Sequence, residues 1–73
     1  MGNDGHTLAF LNKEGVNWTR PSEADGSVFG DCPEELKEEL LKLGSRIIRM
    51  GGMFLSSDVK DGKIQFSFWS PDF

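Results

Sequence analysis

Apolar positions in the middle of the chain recur with a helical period. Leu36, Leu40, Leu43, Ile47 and Met50 fall at i, i+4, i+7, i+11 and i+14, and Leu41 and Ile48 widen the stripe. This spacing predicts an amphipathic helix. Its start is signalled by Asp31-Cys32-Pro33-Glu34-Glu35. Asp31 or Cys32 stands as the cap, Pro33 suits the first turn, and a glutamate three residues past either one completes a capping box. Its end falls at Gly51-Gly52, which can take up the left-handed conformation that closes helices. Glu34, Glu35, Glu38 and Glu39 crowd the N-terminal half and Lys42, Arg46 and Arg49 the C-terminal half, as the helix dipole favours. Gly44 interrupts the stripe at a cost of about 1 kcal/mol relative to alanine and marks a close backbone approach.

Beyond the helix the period changes to two. Met53 to Val59 and Lys63 to Trp69 flank Asp61-Gly62, the strongest short signal for a β-hairpin. With Asp61 and Gly62 as the loop, Lys60 faces Lys63, Val59 faces Ile64, Ser57 faces Phe66 and Leu55 faces Phe68, so one side of the ribbon is apolar and should receive the helix. The same register sets Phe54 opposite Trp69 on the other side, which the helix leaves bare.

Before the helix, Thr7 to Leu11 and Val16 to Thr19 flank Asn12-Lys13-Glu14-Gly15, which reads as a four-residue turn and predicts a second hairpin. Its alternation places Leu8 and Phe10 on one side and Ala9, Leu11, Val16 and Trp18 on the other, so both sides carry apolar weight. Residues 1–5 read as a disordered tail and residues 20–30 as a polar loop, from which Val28 and Phe29 tuck under the helix start. The fold expected is α+β in the order β-β-α-β-β: an antiparallel sheet of two hairpins with one amphipathic helix packed on one face.

Size sharpens this picture. A chain of 73 residues has room for a single small domain, and one so short buries only roughly 60% of the surface its unfolded form exposes. One cysteine and one histidine rule out an internal disulfide and leave no obvious metal cluster, so self-association or a bound partner is the expected support. The formal net charge of −4 opposes the phosphate attraction on which non-specific nucleic-acid binding depends, so a nucleic-acid partner is disfavoured. No apolar run approaches the ~18 residues of a membrane span, and the first residues lack a basic and apolar leader. With its lone thiol, the chain is expected in the cytoplasm, without a membrane partner.

Candidate chemistry is sparse. Cys32 is the one thiol, and Gly30-Asp31-Cys32-Pro33-Glu34 resembles the Cys-Pro-x-Pro signature of the TusA family of sulfur carriers over about five residues, with Glu35 where that family has its second proline. The resemblance implies a thiol or sulfur carrier. Against it, Asp31, Glu34 and Glu35 surround the sulfur with negative charge, which opposes a reactive thiolate. His6 has no partner for a triad, and no pair of carboxylates is split by an apolar setting into acid and base. No catalytic residue, metal or cofactor is therefore assigned.

The aromatic side chains carry more weight. Phe54 and Trp69, with Trp18 from the first hairpin, are the candidate partner-binding residues, because large rings on an uncovered sheet face are favoured interface anchors; the alternative is that Phe54 and Trp69 cover a second small core made with the N-terminal hairpin. The expectation is a small acidic interaction module or inhibitor, not an enzyme, binding a protein partner or itself as a homodimer through the helix-free sheet face or a strand edge. The alternatives are the Cys32 carrier and an acidic mimic of nucleic acid that occupies a basic protein groove through Asp31, Glu34, Glu35, Glu38 and Glu39.

Overall fold

The central stripe folds as the helix it predicts, whereas the segments before it take a different course. The computed structural model describes residues 5–20 and 27–71. In chain order it contains α1 (Gly5–Leu11), β1 (Asn17–Thr19), β2 (Ser27–Pro33), a 3-10 turn (Glu34–Leu36), α2 (Lys37–Arg49), β3 (Met53–Ser56) and β4 (Lys63–Trp69). The strands form one antiparallel sheet in the order β1-β2-β4-β3. Phe10 and Leu11 of α1 and Leu40, Leu43 and Ile47 of α2 share a core with Val28, Cys32, Ile64, Phe66 and Phe68 of the sheet. The class is α+β, with two helices instead of one on the covered face.

The N-terminal hairpin does not form. Its first arm is α1, in which Thr7, Phe10 and Leu11 are buried at i, i+3 and i+4 while Ala9 is exposed. A strand would have divided these apolar groups between two faces, and only the helical spacing gathers them onto the core. Phe10 meets Phe66 edge-on, with ring centroids 6.0 Å apart. Residues 12–16 then turn through bonds from Asn12 N–H to Leu8 O (3.0 Å) and from Val16 N–H to Lys13 O (3.2 Å), with Gly15 at φ 89°. Of the expected tail, Gly5 already belongs to α1, and residues 1–4 lie outside the described ones.

The expected loop over residues 20–30 is also corrected. Ser27–Pro33 is a strand that pairs with both β1 and β4, while residues 21–26 lie outside the described ones. Val28 is fully buried in the core and Phe29 points to the opposite face, so the two do not tuck together under the helix. Gly30 reads as a strand breaker in sequence. In the fold it is required, because a Cβ there would collide with the carbonyl oxygen of Asn17 and meet the Trp18 Cα at 3.0 Å. Pro33 sits at the last strand position, past Asp31, where the pairing with β1 begins.

Because Asp31 and Cys32 are strand residues, neither caps the helix, and no side chain caps the 3-10 turn or α2. The entry is held by tertiary structure instead: Glu34 N–H donates to Gly62 O at 2.9 Å, tying the helix start to the tip of the following hairpin. At the other end, Gly51 N–H donates to Ile48 O (3.0 Å) and Gly52 N–H to Ile47 O (2.9 Å), with Gly51 at φ 91°. This is a Schellman closure at the glycine pair that sequence marks.

The C-terminal hairpin turns as expected, and then slips. Asp61 (φ 55°) and Gly62 (φ 76°) are both left-handed, the requirement of a type I′ turn, and Lys60 and Lys63 exchange bonds of 2.8 and 3.1 Å. Further along, Ser56 faces Phe66, Leu55 faces Ser67, Phe54 faces Phe68 and Met53 faces Trp69, each one position off the expected register. One extra residue lies within 57–59. Ser57 anchors it: its N–H donates to Gln65 O (2.9 Å), and its Oγ accepts from Gln65 N–H (3.1 Å) while donating to Asp58 O (3.0 Å). A bulge of one residue reverses the faces of everything beyond it.

Candidate interaction face

The reversal decides which side chains the bare face carries. Neighbouring strands lie ~4.8 Å apart and same-face residues repeat every ~6.8 Å along a strand. The face away from the helices therefore holds a row of Ser27, Trp69 and Met53, and beside it a row of Phe29, Ser67 and Leu55. Four large apolar side chains thus surround two serines. Their exposures are 49% for Phe29, 68% for Met53, 69% for Leu55 and 37% for Trp69. At full extents of ~150–250 Å² per side chain they present on the order of 400 Å² of apolar surface, with shallow depressions on either side of Ser67.

The next rows turn polar. Asp31 pairs with Gln65 and Pro33 with Lys63, and Asn17 Nδ2 donates to Asp31 Oδ1 at 3.1 Å. An apolar field bordered by charge at one end gives the sheet a direction. At the opposite flank β3 is the edge strand, so its apolar residues also lie beside backbone groups that no sheet neighbour covers among the described residues.

Of the three aromatic residues expected to bind a partner, Trp69 alone lies on this face. Phe54 turns inward and packs on the core over Gly44. Trp18 pairs with Gly30 on the helix side and also packs against the core. The bare face takes Phe29, Met53 and Leu55 instead. Sequence missed Phe29 because β2 read as loop, and missed the other two because the bulge shifted their parity. The available signal was the apolar run Met53-Phe54-Leu55, in which either parity leaves a large side chain on each face.

The remaining candidates sit elsewhere. Cys32 is fully buried on the inner face of β2, and burial, with Asp31 adding its charge, pushes its thiol above the ordinary value of 9.0. That setting opposes both access to the sulfur and its ionisation. Glu34, Glu35, Glu38 and Glu39 are exposed on the helix entry, where water solvates them. Among the described residues no group of three or more His, Cys, Asp or Glu is placed to hold a metal ion, and no helix is long and apolar enough to cross a membrane.

Fold and face together define a two-layer α+β domain with one side of its sheet unshielded and apolar. No protein-family model, curated protein or solved structure matches the chain.

Proposed function

We propose that this chain is an acidic protein-interaction module, without catalytic activity of its own, that binds through the helix-free face of its sheet. The observation that supports it is the cluster of Phe29, Met53, Leu55 and Trp69 around Ser67, an apolar field as large as the largest patches on ordinary monomers. Aromatic and methionine side chains at the centre of a patch are favoured anchors, and the Asp31, Lys63 and Gln65 border supplies the polar rim that fixes orientation. A partner with a flat apolar surface, or the same face of a second copy packed sheet on sheet, would bury these groups together. Such a module acts as an inhibitor when the surface it covers belongs to an active protein. Its buried thiol suits a reducing compartment such as the cytoplasm.

The test is the mass in solution from micromolar to millimolar concentration, for the wild-type chain and for a Met53→Lys/Leu55→Lys double variant, together with recovery of partners from host extract. Both positions are exposed on an edge strand, so the variant should fold. Concentration-dependent dimers, or a partner retained by wild type and lost by the variant, are expected. A wild-type chain that stays monomeric and keeps the same partners as the variant would remove the reading.

A further inference from the structure

On the helix side, opposite the apolar face, a cleft of about 210 Å³ opens between α1 and α2. Helix α1 lines it with residues 6, 9 and 10 (i, i+3 and i+4), the turn after it with Lys13, and α2 with residues 39, 42, 43 and 46 (i, i+3, i+4 and i+7). Its floor is Ala9, Phe10 and Leu43, and the wall is almost entirely carbon. Phe10 and Leu43 are only 4% and 5% exposed, so the floor is pinned by the core beneath it. The lining also includes the cations Lys13, Lys42 and Arg46 and the single carboxylate Glu39. This is a net positive spot on a chain whose formal charge is −4.

We propose that this cleft binds a small amphiphilic monoanion, a carboxylate on an unbranched alkyl chain of about six to eight carbons. The alkyl chain lies on Ala9, Phe10 and Leu43, and the head sits among Lys13, Lys42 and Arg46. Three observations select this chemistry. The largely carbon wall favours an apolar body over that of a sugar or nucleotide. The volume of about 210 Å³ falls below the ~300 Å³ of a drug-sized pocket, which suits a short chain. The cations attract one negative charge, while Glu39 in the same lining penalises a second. The site is independent of the sheet-face reading and can stand or fall without it.

Titrating octanoate into the isotope-labelled chain, with backbone amide shifts and calorimetry as readouts, tests the assignment. Shifts should be confined to residues 6–13 and to α2 from Glu39 to Arg46, leaving Phe29, Leu55 and Trp69 unmoved. From butanoate to octanoate each methylene should tighten binding roughly two- to fourfold, with no gain beyond about eight carbons. Octanol should bind at least about tenfold more weakly, and Lys42→Glu should weaken octanoate about fivefold or more. Ala9→Trp, which fills the cleft from an exposed position, should abolish binding. Should that variant fail to fold, Lys42→Glu and the chain-length series carry the test. Equal binding of octanol and octanoate, affinity indifferent to chain length, shifts scattered over the sheet face, or no binding at all would overturn the proposal.

Discussion

One side of the Phe54 ring packs tightly over Gly44. A Cβ placed on Gly44 would fall 2.5 Å from the Phe54 Cδ2 and 2.6 Å from its Cε2. The contact joins the middle of α2 to the edge strand β3 and explains why a good helix carries a glycine at its centre. Two effects oppose each other on substitution. Gly44→Ala gains about 1 kcal/mol of helix propensity but overpacks the contact by about 1–3 kcal/mol. A net loss of about 1 kcal/mol is expected in denaturant unfolding. In the Phe54→Leu background the ring is gone, and the same change should be neutral or stabilising. Additive effects of the two changes would show that the contact is not tight.

The bulge makes Phe54 and Leu55 a direct test of register, since adjacent strand residues point to opposite faces. Phe54 packs against the core, whereas Leu55 is 69% exposed. Phe54→Ala should therefore cost about 2–3 kcal/mol, and Leu55→Ser no more than about 0.5 kcal/mol. The reverse ranking would restore the unbulged pairing, with Leu55 inward and Phe54 facing the bare side.

How much of this was legible in sequence depends on how local each cause is. Helix α2 has a periodic stripe long enough to exclude other readings, and the Asp61-Gly62 turn and Gly51-Gly52 closure follow from backbone chemistry at single residues. Helix α1 is only 7 residues long, and over so short a stretch its apolar groups fit a strand as well as a helix until the core they join is known. Strand β2 carries Gly30 and Pro33, which punctuate most chains, and Gly30 makes sense only once Asn17 and Trp18 are seen crossing over it. The bulge rests on the Ser57 hydroxyl substituting in the ladder, a choice that no alternation of apolar and polar residues reveals. The apolar field on the bare face inherits both of these hidden causes. That is why a helix-free sheet face could be expected while only Trp69 of its large apolar members was named.

At the hairpin tip, a Cβ on Gly62 would meet nothing closer than Glu34 Oε1 at 3.8 Å, an ordinary van der Waals contact. Any effect of Gly62→Ala is thus conformational, arising from φ 76°. The variant should lose about 1 kcal/mol, a fall of about 4–8 °C in melting temperature for a domain of this size. Asp61→Gly, which relieves the left-handed aspartate at φ 55°, should change stability by less than about 0.5 kcal/mol. A Gly62→Ala variant as stable as wild type would argue against the type I′ geometry.

Cys32 supplies a prediction about alkaline pH. Its thiol is raised in the folded chain, first by burial and then by Asp31, above the 9.0 of an ordinary cysteine. The unfolded chain therefore loses this proton first, and above that pH the unfolded state is favoured by its extra ionisation. The contribution is fully present below about pH 9.0 and is lost as pH rises toward the folded value. Stability measured by denaturant titration should fall from pH 8 to pH 11 more steeply in wild type than in Cys32→Ala, which lacks the group. The same burial should make the native thiol react with a bulky disulfide reagent at least about a hundredfold more slowly than the denatured chain, because reaction must wait for opening. Parallel pH curves for the two proteins, together with rapid labelling of the native chain, would mean that the sulfur is solvated and would return Cys32 to consideration as a carrier thiol.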